Sequence, residues 1–515
     1  MSNQILHIFR KDVRHHRPEI VLSLIAWVAF AWRETGRINP WNNLSVEYEV
    51  LLSLLSALLP IAWVFLIVRV VHGETLVGDR QFWVTRPYEW KKLVAAKLLF
   101  ILAFVNVPLL LLQIFLLRKA GFPVVPQISG LLQVQALWSV CVILPVITLA
   151  AVTASTGQFL LVVLGAVLYL IAAASLLRIV PHANAGVAGA DSLAFSLAFL
   201  VGIGTSLAVV LWQYMRRITS GPRVLLLCAA VLILIIFAAM PYRYIINHMY
   251  PQPIAGQQPS VTLAFDRTRP AWHEGGFRER NNVHVWIPLL VSGIAHGSEV
   301  LVAGKMVSIQ ATGGQRWTSE WYGGSGQYLL PDTQRDQTIL AIDKDFFERV
   351  KATSVRLHIN FALLPRRARE KTRIVAQASG FAVPGNGRCS FSPIDKAAIS
   401  CVFPLKSPSL LIATKWDEGT CWQQKTGNFT TGITFYGYIS PLGAADTFDV
   451  SPIRTAPLFW MQGAYACSGT PLTFYSGWNS LQGFREEVEI DGIRLADYQL
   501  NDSLEDLDAL GFTVP

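Results

Sequence analysis

The chain has 515 residues, and its 52% hydrophobic and 15% charged content averages two unlike halves, long apolar runs up to about residue 250 and a polar, Gly-, Thr- and Ser-rich remainder. This excludes a single water-soluble globule and leaves a membrane domain followed by a water-exposed region. The net charge of +9 sits largely in short loops beside apolar runs, where it orients a membrane protein, so nucleic acid is not an expected partner.

Residues 1–18 open the chain with Ile5, Leu6, Phe9 and Val13 at helical spacing and Arg10, Lys11, Arg14 and Arg17 on the other positions. A basic amphipathic helix of this pattern lies in the plane of the lipid headgroups on the cytoplasmic side. The competing reading is a cytoplasmic tail whose charges only enforce orientation.

A helix needs roughly 20 apolar residues to cross a bilayer. Over residues 19–241 the candidate spans are Glu19–Trp32, Val50–Val71, Leu93–Leu117, Leu131–Ala154, Gln158–Leu177, Ser192–Tyr214 and Val224–Pro241, about seven in all. The first is short, and its Trp27 and Trp32 could instead anchor it at an interface. It is not expected to be a cleaved signal peptide, because Ala31-Trp32-Arg33-Glu34 offers no small-residue cleavage site. With seven spans, the basic clusters at Arg10 to Arg17, Arg69 to Lys92 and Arg216 to Arg223 all fall on one side. This predicts a cytoplasmic N-terminus in the cell (inner) membrane and an extracytoplasmic C-terminal region. No Asp or Glu lies mid-span, and polar content there is limited to groups such as Asn106, Gln113, Gln133 and Gln135. Ion and proton carriers place ionisable residues at depth, so a self-powered pump or antiporter is disfavoured. Pro60, Pro108 and Pro145 are expected to kink their helices.

Between spans two and three, residues 68–97 combine Arg69, Glu74, Asp79, Arg80, Arg86, Glu89, Lys91 and Lys92 with Phe82, Trp83, Pro87, Tyr88 and Trp90. A docking element needs side chains that fill a cleft and charges that fix its register. Trp83, Tyr88 and Trp90 suit the first task, and Glu74, Asp79, Arg80 and Arg86 the second. The alternative is a loop whose tryptophans rest on headgroups.

Past Pro241, short alternating segments with frequent turns indicate an all-β exported region. The expected strands are Val261–Asp266, Asn282–Leu290, Glu299–Gln310, Thr338–Ile342 and Ser354–Ala362. A second series is Ile374–Ala378, Ala398–Pro404, Ser409–Thr414, Gly432–Ile439, Leu472–Ser476 and Glu486–Ile490. Two β-sandwiches are expected, over residues 255–382 and 386–515, with a short helix at Asp343 to Lys351. Cys389, Cys401, Cys421 and Cys467 lie in this region, and an even number in an exported domain points to disulfides. Three connectivities are possible, of which Cys389–Cys401 with Cys421–Cys467 is the sequence-local one. No C-x₂-C spacing or associated His suggests a metal, and no cofactor or catalytic constellation is expected. Gly323-Gly324-Ser325-Gly326-Gln327 fails the nucleophile pattern at its last position.

Taken together, the basic surface helix, the charged aromatic loop and a core without ionisable relays resemble the permease subunit of type-2 ABC exporters, the ABC-2 family. In that family a Glu after span two precedes a short helical stretch, a Thr-x-Pro or Thr-Arg-Pro turn and a Lys leading into span three. Here these look like Glu74, Gly78 to Val84, Thr85-Arg86-Pro87 and Lys97, and Phe9-Arg10-Lys11-Asp12-Val13-Arg14 resembles the start of the elbow helix. The resemblance covers about the first 240 residues. It implies that Glu74, Asp79, Arg80, Trp83, Thr85, Arg86, Pro87 and Lys97 couple the chain to a separate ATPase subunit, and that two permease subunits pair as a homo- or heterodimer. The family core has six spans and does not usually carry so large a C-terminal ectodomain. The chain lacks G-x-x-x-x-G-K-[ST], so ATP hydrolysis is expected on another polypeptide and the chain itself is not expected to be an enzyme. A membrane-anchored envelope binding or sensing protein without transport activity is the competing function.

Overall fold

The computed structural model describes residues 2–37, 46–73, 89–179, 190–216, 219–253, 261–269, 281–323, 328–330, 335–377, 379–391, 399–406, 410–415, 434–439, 450–457, 459–460, 469 and 471–500. A helical N-terminal region is followed by a β-rich C-terminal one. The chain divides into two compact units. The first comprises Met1–Ala174, Leu197–Ile235 and Glu370–Ser476, and the second Ser175–Ser196, Ile236–Arg369 and Gly477–Pro515.

The helices are α1 (Ser2–His15), α2 (Arg17–Arg37), α3 (Val46–His72), α4 (Trp90–Lys119), α5 (Val125–Val152), α6 (Thr156–Ile179), α7 (Ala190–Arg216) and α8 (Ser220–Ala239). Among the described residues five helical segments, in α4 to α8, are long and apolar enough to cross a membrane. Ala57–His72 of α3 is apolar but shorter. Helix α2 carries Glu19, Arg33 and Glu34 within its length, which lowers its apolar content.

Helices α4 and α5 each contain one π-helical turn, Leu102–Asn106 and Ser139–Ile143. Pro108 and Pro145 follow these turns in the chain. A proline in a regular helix collides with the carbonyl four residues back. The extra residue of a π turn opens the ring, and the Val107 and Leu144 amides bond to Leu102 and Ser139 instead. Each of these two prolines, expected to kink its helix, thus follows a π turn. Helix α4 ends at Gly121 (φ +78°), which lets the Phe122 amide bond back to the Leu117 carbonyl at 2.9 Å.

In the first unit the helical core gathers Trp27, Phe30, Trp63, Leu66, Phe100, Leu109, Leu116 and Trp138. Trp63 bridges its partners, with ring centroids 4.9 Å from Trp27 and 5.5 Å from Trp138. Helix α6 exposes Leu160, Leu161, Leu164, Leu168, Leu170 and Ile171, an outer surface suited to hydrocarbon.

The strands of the second unit include β1 (Thr262–Phe265), β2 (Asn282–Ser292), β3 (Ser298–Ala311), β4 (Arg316–Thr318), β5 (Tyr328–Leu329) and β6 (Arg335–Asp343). Strand β2 pairs antiparallel with both β1 and β6. Strand β3 pairs with β4, β5 and β7 (Ser354–Val375). Val285, Ile287, Leu340 and Ile342 meet Val307, Ile309, Leu357 and Ile359 in one core. The alternation expected in β2 does not separate a wet face from a dry one, because His284 and Trp286 are buried together with Val285 and Ile287. Helix α9 (Tyr242–Met249) packs Tyr242 and Ile246 on Ala303, Trp321 and Ala362. The expected helix after β6 is α10 (Lys344–Val350), capped by the Asp343 carboxylate, which accepts from the Phe346 amide at 2.8 Å.

One strand expectation is corrected. Ile374–Ala378 does not open a new strand, because β7 runs without interruption to Val375. Its stretch Arg366-Arg367-Ala368-Arg369-Glu370-Lys371-Thr372-Arg373 is polar on both faces and gives no alternating signal.

The β-strands of the first unit include β8 (Phe381–Val383), β9 (Gly387–Phe391), β10 (Ile399–Pro404), β11 (Leu410–Lys415), β12 (Thr434–Ile439), β13 (Ile453–Pro457) and β14 (Phe459–Trp460). Strands β8, β9, β10 and β13 form one antiparallel sheet, and β11 pairs with β12 and with β15 (Pro471–Ser480). In the second unit β16 (Phe484–Arg494) pairs with β7.

Candidate functional site

Helix α4 connects three chemically distinct contacts, all within the first unit. At its start, Lys97 Nζ lies 2.8 Å from Asp12 Oδ2 of α1, with side chains 5% and 3% exposed. Around this pair Phe9 stacks on Phe104 at 6.1 Å and meets Phe100 edge-on at 6.3 Å. Ile8, 2% exposed, joins the helical core, and Ile5, Phe9 and Val13 pack against it, while Leu6 stays exposed. The opposite face of α1 exposes His7, Arg10, Lys11, Arg14 and His15, which line an open concavity of about 580 Å³.

In the middle of α4, uncharged side chains form a directional chain. Asn106 Nδ2 donates to Gln135 Oε1 (3.1 Å) and to Ser139 Oγ (3.0 Å). Gln135 Nε2 donates to Gln113 Oε1 (3.3 Å), and Gln113 Nε2 donates to the Val450 carbonyl (3.2 Å). Asn106 ends one π turn and Ser139 begins the other, so the first bonds of the chain join the two irregular turns. Buried amides are expensive unless paired, and here each of these three donates a hydrogen bond.

Beyond α4, the sheet of β8, β9, β10 and β13 meets the helix end. Arg388 Nη2 donates to the Gly121 carbonyl at 2.8 Å, and its guanidinium lies 5.6 Å over the Phe122 ring. Val402, Val450 and Ile453 join the helical core. A Cβ at Gly130 of α5 would collide with Leu405 Cδ1, so this approach is close.

A further cluster gathers helix ends. Arg69 of α3 lies 3.4 Å from Glu19 of α2. His72 Nε2 is 3.1 Å from both the Ala150 carbonyl and Thr153 Oγ1. Arg223 of α8 donates to the Val152 carbonyl from Nη2 at 2.9 Å and from Nε at 3.2 Å, satisfying an end carbonyl of α5.

Of the residues expected to couple to an ATPase, Lys97 is placed as above. Glu74, Asp79, Arg80, Trp83, Thr85, Arg86 and Pro87 lie outside the described residues. Cys389 and Cys401 form a disulfide across β9 and β10, while Cys421 and Cys467 lie outside the described residues. Among the described residues no three of His, Cys, Asp or Glu converge as a metal site. Sequence reasoning gave Asp12 no role of its own. Its signal was one acid in the inward-facing helix stripe Ile8, Phe9, Asp12 and His16. Asn106, Gln113 and Gln135 were visible as polar residues in apolar runs, but not as a chain.

The β strands hold two buried ionisable groups. Glu299, fully buried, lies 2.8 Å from Arg366 Nη1; burial outweighs the neighbouring guanidinium and pushes its carboxyl up to about 7. Lys305 donates to Thr338 Oγ1 at 2.9 Å and to the Ile339 carbonyl at 2.5 Å, and burial lowers it to about 8. Both are enclosed and amount to internal polar contacts. His358, with Glu487 3.2 Å away, is likewise accounted for by a surface pair.

No family model matches the chain, and no curated protein matches it. A solved structure of red sea bream transglutaminase is similar over 46% of this chain and 31% of that chain, at 9% identity and a TM-score of 0.12, a likeness that carries no argument about fold or activity.

Proposed function

We propose that this chain is the membrane-spanning permease subunit of an ATP-driven ABC-2-type transporter. In this reading α2 to α8 cross the membrane seven times, the N-terminus is cytoplasmic, and the β strands after α9 form extracytoplasmic sandwiches. The clustering of Arg69, His72 and Arg223 at one set of helix ends supports that direction. The Cys389–Cys401 disulfide is compatible with an oxidising compartment at the other side. A separate ATPase docks on residues 74–88, and a second permease subunit completes the assembly.

The observation that carries the reading is the buried Asp12–Lys97 pair. It fixes α1 to the helix that emerges from the 74–88 loop, so a partner moving that loop moves both elements together. The same helix reaches Val450 through Gln113, which gives the motion a route to the β region. This continuity weighs against the alternative of an envelope-binding protein whose helices serve only as an anchor.

The test is an ATP-dependent change in amide hydrogen exchange at residues 450–454 in the assembled complex. Replacing Glu74 or the Trp83–Pro87 segment is expected to abolish that change while ATP hydrolysis continues. An unchanged response in those variants overturns the role of the loop. An ectodomain that functions fully on one unrelated span supports the anchored-protein alternative instead.

A further inference from the structure

The hydrogen bonds from Asn106 to Val450 run in one direction, and that direction is forced from one end. A backbone carbonyl can only accept, so Val450 holds the Gln113 amide with its nitrogen toward the β region and its oxygen toward Gln135. Gln135 must then offer its own oxygen to Asn106. Ser139 Oγ gives its proton to the Gln135 carbonyl at 2.8 Å and therefore also receives from Asn106. Both Nδ2 protons of Asn106 are committed, and among the described residues nothing donates to its Oδ1. The chain thus ends in an open acceptor on a half-buried side chain, near the middle of the 30-residue α4 and where the two π turns meet.

We propose that Asn106 Oδ1 is a docking point for an uncharged, hydroxyl-bearing lipid headgroup, the class of cargo that the proposed permease moves. An acceptor in hydrocarbon is costly until a donor reaches it, so its ligand carries an O–H or N–H. Neither α4 nor α5 contains an Asp or Glu, which leaves a cationic donor without a counter-ion. An anion is repelled by the carbonyl oxygen. A second copy of the chain is a poor occupant, because a two-fold axis at this point sets one Oδ1 against another. Leu102 and Leu99, about one and two turns back along α4, are 54% and 37% exposed, so a molecule that reaches Asn106 also lies on apolar surface. A glycosyl or polyol headgroup on acyl chains satisfies both demands. The cargo assignment rests on the transport reading, whereas the binding itself requires only that α4 lie in the membrane.

The test uses the purified full chain in phosphatidylcholine nanodiscs, without ATP, and a photoreactive monoglucosyl diacylglycerol as probe. Its permethylated counterpart, which keeps the sugar ring but has no hydroxyl donor, is the control. Labelling of residues 99–106 and 132–139 is expected with the glucosyl lipid and is expected to be about tenfold weaker with the methylated one, the worth of one hydrogen bond in an apolar setting. Asn106→Leu is expected to abolish the preference. Gln133→Leu, at an exposed α5 position outside the chain of hydrogen bonds, is expected to keep it. Equal labelling by the two lipids in the unaltered chain overturns the proposal without recourse to any variant, and assigns the acceptor to water. A preference that survives Asn106→Leu, or complete displacement by soluble methyl glucoside, also overturns it. Preferential labelling of a chain that recruits no ATPase upholds the binding site and overturns its assignment to cargo.

Discussion

Lys97 and Asp12, 85 positions apart in the chain, meet at 2.8 Å in the interior of the helical unit, both almost wholly removed from solvent. Two charges buried together stabilise little beyond a packed apolar pair, but one left alone is costly. The pair therefore acts as a register pin between α1 and α4.

Lys97→Met is expected to destabilise the helical unit by about 3–5 kcal/mol, because the Asp12 carboxylate stays buried without its partner. Adding Asp12→Asn is expected to recover a large part of that loss. Thermal unfolding of the purified chain and its single and double variants measures the coupling, and strictly additive losses contradict the pin.

Gln113→Leu removes the donor to the Val450 carbonyl and the acceptor for Gln135. Interhelical polar contacts of this kind contribute about 0.6–2 kcal/mol. Hydrogen exchange over 399–405 and 450–454 is expected to quicken severalfold, with little change in α7. Equal quickening throughout the helices would show a general loss of packing rather than a local tie.

Non-reducing peptide mapping is expected to recover Cys389 linked to Cys401. The bond closes a loop of separation 12, for which chain entropy suggests about 3 kcal/mol. Reductant is expected to lower the unfolding temperature of the sheet containing β9 and β10. Free, alkylatable Cys389 in the untreated protein contradicts the linkage.

Glu299 gives the β region a pH dependence of known sign. Burial pushes its carboxyl up to about 7 from the ordinary 4.5, so the folded form holds the proton between those limits and the unfolded form does not. The contribution is present in full below about pH 4.5 and is lost as pH rises through 7, a change of about 3 kcal/mol. Exchange of β3 amides is expected to quicken from pH 5 to 8 after correction for intrinsic rates, and Glu299→Gln is expected to flatten that trend. A variant with the same slope assigns the dependence elsewhere.

Much of the architecture was legible because it is written in local periodicity. The apolar runs marked the helices of α2 to α8, and alternation marked β2, β3 and β6 to within a few residues. What sequence reading missed is non-local or locally atypical. The end of β7 is charged on both faces and looked like a loop. The π turns follow from prolines meeting a helix that continues. The pairing of Gln113 with Val450 joins residues separated by 337 positions. Asp12 was hidden among basic neighbours, because its meaning depends on facing inward toward Lys97.

The central claim is that residues 74–88 bind a separate ATP-hydrolysing subunit. Affinity purification of the intact chain, with identification and stoichiometry of polypeptides carrying G-x-x-x-x-G-K-[ST], tests it most directly. The account predicts that such a polypeptide co-purifies and is lost when Glu74→Lys is combined with Trp83→Ala. Purification of the intact chain without one, or its undiminished recovery with the double variant, would contradict the account.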